Sequence, residues 1–256
     1  MTSNDPIAVL RASHDRLRAM AGSLGPDDVR RPAYPSEWSI AQVLSHLGSG
    51  AEIGALLVQA GMSGSEPPSR DTYPAIWDRW NAKSPDEMVA DGLASDARLV
   101  ALIESLRDDR YADIVIQFFM GPVDRYTYAA FRLGEHAVHT WDVVVAVQPG
   151  ATVSPDAVEI ILPGVARLVG FTAKPNGRTA RIHVTTSDPA LEYALTIGDP
   201  SSMVAWDGGE STGSLQIPAE AFLRLIYGRL DPANTPDGIK AADVSLDDLR
   251  SVFPGF

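Results

Sequence analysis

The spacing of apolar residues changes near residue 150 and divides this chain of 256 residues into two parts. Over the first part, apolar residues recur every three or four positions, which is the period of an amphipathic helix. This pattern predicts four long helices and a shorter one, at about 6–24, 36–61, 85–106, 124–147 and 76–80. Four long helices favour a helical bundle for residues 1–150.

The second part begins after a stretch that contains proline and glycine, QPGATVSP at 148–155. Its apolar patterns are shorter and typical of strands, with turn-forming sequences between them. We expect strands at 181–186, 191–197 and 202–206, and helices at about 155–169 and 218–230. The predicted fold class is therefore α+β overall, with a helical domain over 1–150 and a smaller α+β domain over 151–256.

The balance of charged residues limits the partners that the chain can bind. There are 33 Asp and Glu against 21 Lys and Arg, which gives a formal charge of −12. Nucleic acids and anionic membrane surfaces attract basic patches, so neither is an expected partner. No apolar run reaches the roughly 18 residues of a membrane-spanning helix, and the N-terminus does not read as a signal peptide. We expect a cytoplasmic monomer that acts on small molecules.

The chain contains no cysteine and only five histidines. This excludes disulfides, cysteine-ligated metals and a cysteine nucleophile. A metal would have to be bound by His, Asp or Glu, and thiol chemistry would need a thiol from another molecule. The histidines available to such a site are His14, His46, His136, His139 and His183. We interpret His14 and His183 as incidental.

Glu135 and His139 lie four residues apart within the helix predicted at 124–147. Side chains at this spacing project from one face, about 40° apart around the helix axis, and can share one metal ion. His136 lies about 100° from Glu135, so it is not expected to join this pair. A surface hydrogen bond between Glu135 and His139 is the alternative interpretation.

His46 lies on the second predicted helix, on an otherwise apolar surface. An imidazole inside a bundle needs a polar partner. His46 could join the pair as a ligand from a neighbouring helix, or it could be a core histidine with its own hydrogen bonds. Ser49 and Gly50 follow within about one turn, and their small side chains would leave room for a ligand above the ring.

Two segments together resemble the mycothiol-dependent maleylpyruvate isomerase family, a branch of the DinB-like metal-binding bundles. The segments are WSIAQVLSHLGSGAE at 38–52 and GEHAVHTWDVVVA at 134–146. The residues that carry the resemblance are Trp38, His46, Leu47, Glu135, His139, Trp141 and Asp142. The stretches at 214–230 and 243–256 are also similar to that family, whereas 60–125 contains nothing diagnostic.

The resemblance implies a divalent metal, with zinc the expected ion, bound by His46, Glu135 and His139. It implies a DinB-like four-helix bundle followed by a sterol-carrier-like α+β domain. The family's named activity is the thiol-assisted cis–trans isomerisation of maleylpyruvate to fumarylpyruvate, with mycothiol as the thiol. Arg229 matches the family's C-terminal arginine, placed near a cleft between the domains. There it could bind a substrate carboxylate, with Arg224 as the neighbouring candidate and a helix-end role as the alternative.

The chemistry of such a site leaves several functions open. Two histidines and one glutamate would leave a fourth position on a tetrahedral metal ion, as in catalytic sites. A thiol there is deprotonated, and the thiolate could add to an activated double bond, allow rotation and leave, or be transferred to a small electrophile. Water in that position would make a hydrolase. A metal that only braces the bundle would make a non-catalytic ligand-binding protein.

The remaining residues of the motif have structural interpretations. Trp38 and Trp141 are interpreted as core residues, with contact to a bound ligand as the alternative. Asp142 lies three residues after His139 and could orient that histidine as a metal ligand. The alternatives are that Asp142 faces solvent or takes part in helix packing.

Overall fold

Each of the four long helices in the first part of the chain begins at a residue whose side chain accepts a hydrogen bond from the first turn. These caps are Asp5, Ser39, Ser84 and Asp124. In the computed structural model, which describes residues 5–255, the helices of this part are α1 (Pro6–Ala21), α2 (Ile40–Ser63), α3 (Tyr73–Asn81), α4 (Pro85–Ser105) and α5 (Arg125–Val145). None of the helices within residues 5–255 has the length and apolar character needed to cross a membrane.

The second helix begins later than its apolar pattern predicts. The expected start at residues 36–37 is wrong, because α2 begins at Ile40. A capping box forms there, in which the side chains of Ser39 and Gln42 each bond the other residue's backbone N–H. The box satisfies donors of the first turn at that point, so the preceding residues remain outside the helix.

A short β-hairpin, which the apolar pattern does not predict, connects α4 to α5. Its strands β1 (Ile116–Phe118) and β2 (Gly121–Val123) pair antiparallel. Each has three residues, too few to establish an alternating pattern. The hairpin packs β1 against α2 and α5, which places Phe118 beside the bundle.

The closest packing in the bundle is between α2 and α4, and two glycines make it possible. A Cβ atom on Gly92 would lie 2.5 Å from the carbonyl oxygen of Leu44, and one on Gly48 would lie 2.7 Å from the Cα atom of Gly92. Real Cβ atoms do not approach so closely, so any side chain at either position would push the two helices apart. This contact fixes the position of the α2 segment that carries His46.

The chain divides after Ala151 into this helical unit and a second unit of mixed structure. The second unit contains four helices, α6 (Pro155–Ile161), α7 (Ala166–Thr172), α8 (Ala219–Ile226) and α9 (Leu246–Val252). Its five strands are β3 (Ala180–Ser187), β4 (Glu192–Ile197), β5 (Ser202–Ala205), β6 (Gly213–Pro218) and β7 (Lys240–Ala242). They form one sheet in the order β5-β4-β3-β6-β7, in which only β3 and β6 are parallel. The predicted α+β class is confirmed.

Two helices of the second unit differ from the sequence-based expectation. The helix expected over 155–169 is interrupted by a 3-10 turn at Leu162–Gly164, so that α6 and α7 are separate. The helix expected over 218–230 ends at Ile226, and Gly228 then adopts a φ of 72°, a conformation that reverses the chain. Strands β6 and β7 are additional to the three expected.

We predict that Gly92→Ala destabilises the helical unit by about 1–3 kcal/mol, because the added methyl group overlaps the backbone of α2. Urea denaturation followed by circular dichroism measures the change. Gly170→Ala is the matched control, since this exposed glycine also lies in a helix and has no atom within 4 Å of the added methyl group. The control should change stability by no more than about 1 kcal/mol, in the stabilising direction. Equal effects of the two substitutions would contradict the close contact.

Candidate metal centre

The structure brings the three predicted metal ligands together. Oε2 of Glu135 lies 3.7 Å from Nε2 of His46 on α2 and 3.8 Å from Nε2 of His139 on α5. The two imidazole rings meet edge to face, with their centroids 4.7 Å apart. One donor atom from each of the three residues lies within 4.8 Å of the other two. Two nitrogens and one oxygen thus converge as the ligands of a single divalent ion would.

A buried carboxylate fixes the orientation of His139. Oδ2 of Asp142 lies 2.8 Å from Nδ1 of His139, and Asp142 has no exposed surface. Because a carboxylate only accepts hydrogen bonds, the ring proton belongs on Nδ1 and the lone pair on Nε2. Metal-binding histidines commonly have such a carboxylate partner. This geometry supports the orienting role considered for Asp142.

The charges around the cluster keep Glu135 ionised. Partial burial acts to raise the pKa of Glu135, but its interactions with His46, His139 and Arg132 outweigh that effect and lower the pKa to about 2. Desolvation lowers the pKa of His46, and pairing with Glu135 opposes this only in part. At neutral pH the cluster therefore contains a carboxylate and a neutral His46 ring, the protonation states that bind a divalent cation.

A divalent metal fits this donor set. The side chains of His46 and Glu135 are 40% and 52% exposed, whereas that of His139 is only 11% exposed. One ligand is therefore anchored in the bundle, and the other two face open space. Three protein ligands of this kind, open on one side, are typical of a catalytic zinc site.

The cluster opens into a pocket of about 420 Å³ that lies within the helical unit. His46, Glu135 and Arg132 form one part of its wall. Most of the rest is apolar and is contributed by Ile53, Leu57, Tyr73, Trp77, Phe118, Phe119, Tyr128 and Phe131, among others. Its volume is in the range of pockets that bind small molecules.

The two tryptophans of the sequence motif have different environments. Trp141 is buried, as predicted, and its Nε1 donates to the carbonyl oxygen of Ala151 at 2.7 Å. Trp38 is 37% exposed, and its ring centroid lies 5.3 Å from that of His46. The prediction of Trp38 as a core residue is wrong, because α2 begins only at Ile40 and leaves this ring outside the helix, against the histidine.

A second cluster of titratable residues is buried beside the pocket, which it reaches through Arg132. Oδ2 of Asp96 lies 2.7 Å from Nδ1 of His14 and 2.9 Å from Nε2 of His136. The guanidinium group of Arg132 donates from Nη2 to Oδ1 of the same carboxylate at 2.6 Å. Ser13 lies 2.8 Å from Nδ1 of His136 and completes the set. The interpretation of His14 as incidental is wrong.

This second cluster has the character of a structural ion pair. Burial acts to raise the pKa of Asp96, but the charges and hydrogen bonds of His136, Arg132 and His14 hold it well below its usual range. Burial lowers the pKa of His136 despite the neighbouring carboxylate. Asp96 is therefore ionised and already neutralised by Arg132, so this cluster has less need of a metal ion than the site at Glu135.

The two arginines considered as carboxylate-binding residues lie in the second unit. Arg229 is buried and donates from Nη1 to the carbonyl oxygen of Tyr227 at 2.7 Å. Arg224 is also buried, and its guanidinium group forms a two-pronged ion pair with Glu220. Arg224 therefore has a structural partner within its own helix. A role for Arg229 in substrate binding stays a prediction.

Comparison with known proteins identifies relatives of the chain. Residues 10–144, more than half of the sequence, match the family described as the mycothiol maleylpyruvate isomerase N-terminal domain. Among solved structures, the crystal structure of the mycothiol-dependent maleylpyruvate isomerase is similar, with a TM-score of 0.67, 14% identity and coverage of 94% of this chain and 95% of that one. The structure of a mutant of that enzyme matches with a TM-score of 0.66, 15% identity and the same coverage. No curated protein matches the sequence. At these identities the structural likeness establishes the fold.

We predict that Asp96→Asn costs about 3–5 kcal/mol of stability at neutral pH, because it leaves the buried Arg132 without its counter-charge. The pKa of Asp96 is lower in the folded protein than in the unfolded chain, where it is about 3.9, so the ionised carboxylate stabilises the fold at pH values above about 3.9. This stabilisation is lost as the pH falls below about 3.9 and through the pKa of the folded protein. The stability difference between wild type and variant should therefore narrow below about pH 4. Denaturation curves at several pH values measure it.

The matched control for this variant is Asp91→Asn, on the same helix. Asp91 is exposed and pairs with Lys83 on the surface. This pair should contribute at most about 1 kcal/mol. A loss at Asp96 no larger than the loss at Asp91 would show that the buried cluster does not stabilise the bundle.

Proposed function

The chain belongs to the mycothiol maleylpyruvate isomerase family, and from that premise we propose that it is a metal-dependent enzyme that uses a low-molecular-weight thiol. The proposed reaction is isomerisation of an unsaturated small acid of the maleylpyruvate type, or transfer of the thiol to a small electrophile. The observation that carries the proposal is the convergence of His46, Glu135 and His139, two of which, His46 and Glu135, line a pocket. The proposed thiol is mycothiol.

In the proposed site His46, Glu135 and His139 hold one divalent metal, with zinc the expected ion. When bound, such an ion lowers the pKa of a thiol and supplies a thiolate nucleophile at neutral pH. Asp142 keeps Nε2 of His139 free of a proton through the hydrogen bond at Nδ1. The apolar wall of the pocket offers a surface for the carbon skeleton of a substrate beside His46 and Glu135.

The reaction of the thiol accounts for both proposed activities. A thiolate adds to a double bond that a carbonyl group activates, and a proton from the surroundings completes the adduct. Rotation about the new single bond followed by loss of the thiol and the same proton gives the isomer, while retention of the thiol gives the transfer product.

We further propose that Arg229, in a C-terminal domain over 151–256, binds a carboxylate of the substrate. Arg229→Ala should then weaken substrate use without loss of metal.

We predict that His46→Ala, Glu135→Ala and His139→Ala each lose most of the bound metal. Each removes one of three protein ligands, and the two that remain hold a divalent ion much less tightly. Elemental analysis after dialysis against a weak chelator measures the metal content. Asp142→Asn should reduce the affinity by about 10–100-fold, since it acts through His139.

The matched control for metal content is His183→Ala. His183 is a partly exposed histidine on β3, where it pairs with Glu192 instead of a second histidine. This variant should retain the full metal content. Full retention in two of the three ligand variants would contradict the assigned site.

We predict that the cobalt-substituted protein gives a sulfur-to-metal charge-transfer band when mycothiol is added. The chain has no cysteine, so a sulfur ligand must come from the added thiol. The band should weaken as the pH falls, because protons compete for the thiolate and for the imidazoles. Mycothiol methylated at sulfur is the control, since it cannot form a thiolate. Turnover without thiol, together with an unchanged cobalt spectrum, would contradict a thiol-dependent reaction.

A further inference from the structure

Arg132 combines a buried position with an incomplete set of hydrogen bonds. It lies on α5 one turn before Glu135, and it lines the pocket although only 8% of its side chain is exposed. Its Nη2 donates to Asp96 at 2.6 Å and to the carbonyl oxygen of Leu47 at 2.9 Å. Its Nε is buried and has no partner within residues 5–255. Both hydrogens of Nη2 are therefore used, and an oxygen that approaches from the pocket would meet Nη1, beside Gly50.

The surroundings of Arg132 leave a path for such an oxygen. Gly50 on α2 lines the same pocket, and a Cβ atom there would lie 3.3 Å from Nη1 of Arg132. The absence of a side chain at Gly50 therefore keeps the guanidinium group open to the pocket. Asp96 and the helix backbone hold the group in place, so it is ordered before any ligand arrives.

Away from Arg132, the wall of the pocket is mainly apolar and aromatic. Phe118, Phe119 and Phe131 pack together, with ring centroids 4.3 Å apart for Phe118–Phe119 and 5.3 Å apart for Phe118–Phe131. Phe119 and Trp77 are large apolar residues that stay 57% and 45% exposed. Exposed aromatic side chains around a cavity mark a surface that binds an apolar ligand. At about 420 Å³, the pocket is large enough for a ring in addition to an acid group.

We propose that this pocket selects an unsaturated monocarboxylic acid with an aromatic or similarly bulky apolar group, and that Arg132 binds its carboxylate. The aromatic residues would contact the apolar group, and the double bond would lie near the His46–Glu135–His139 cluster. A small dicarboxylic acid would leave most of the apolar volume unfilled, so the inference narrows the unsaturated acids of the proposed function to those with a bulky apolar group. The inference rests on the proposed function for its reaction, but the binding step can be tested separately.

The test is calorimetric titration of the metal-loaded protein with cinnamate, an unsaturated aromatic acid. Cinnamamide has the same ring and double bond without the charge, and fumarate has the charges without the ring. We expect cinnamate to bind at least about tenfold more tightly than either. Arg132→Gln should reduce cinnamate affinity to the level of cinnamamide. Arg70→Gln is the matched control, because Arg70 is an exposed cation at the same pocket, and it should change affinity by less than about threefold.

A second variant keeps the test decisive if Arg132→Gln fails to fold. Gly50→Ala keeps both Arg132 and Asp96 and places one methyl group 3.3 Å from Nη1, in the path to the guanidinium group. It should weaken cinnamate much more than cinnamamide. Equal affinities for cinnamate and cinnamamide, or tighter binding of fumarate, would overturn the proposal.

Removal of the metal distinguishes carboxylate binding by Arg132 from carboxylate binding by the metal. If cinnamate affinity vanishes after chelation, the carboxylate binds the metal and the role of Arg132 is overturned; if affinity persists and depends on Arg132, the role is supported. The thiol-dependent cobalt band is measured on the same preparation. A normal band without selective cinnamate binding overturns only the substrate class, whereas selective binding without a band overturns only the proposed reaction.

Discussion

One buried carboxylate connects all four long helices of the bundle. Asp96 on α4 bonds His14 on α1 and both Arg132 and His136 on α5, and Arg132 in turn bonds the backbone of α2 at Leu47. A charge in an apolar core is tolerated only when its partners are in place. The requirement is directional, because each partner must approach from its own helix. The arrangement therefore specifies how the helices are rotated about their axes, which apolar packing alone leaves less defined.

That rotation matters because α5 carries two sets of functional side chains. Arg132 and His136 point to Asp96, while Glu135 and His139 point to His46 and the pocket. Successive residues of a helix are about 100° apart, so fixing one set fixes the other. Asp142 adds a local restraint on His139. The Asp96 network therefore sets the position of the candidate metal site from the opposite face of α5.

Much of this could be predicted from the sequence, and the failures have physical causes. The helical spacing of Glu135 and His139 places them together without any knowledge of the fold. Assigning His46 to the same site depended on the family resemblance, because helix periodicity does not tell which helices are neighbours. The Asp96 cluster was missed although a signal exists. Asp96 and His14 each occupy a position that should be apolar in their helices, three residues before Leu99 and four residues after Leu10. Polar residues at such positions require partners.

The walls of the pocket come from two kinds of segment, the packed long helices and the segments between them. The candidate metal ligands lie on α2 and α5, which are held by caps, close contacts and the buried charge cluster. Much of the apolar wall comes from the segments between the long helices, namely residues 67–77, which run from a loop into the short helix α3, and the hairpin at 116–123. Connections tolerate substitution and changes of length far better than packed helices do. Changes confined to these two segments would therefore alter which molecules the pocket accepts and leave the candidate metal ligands in place.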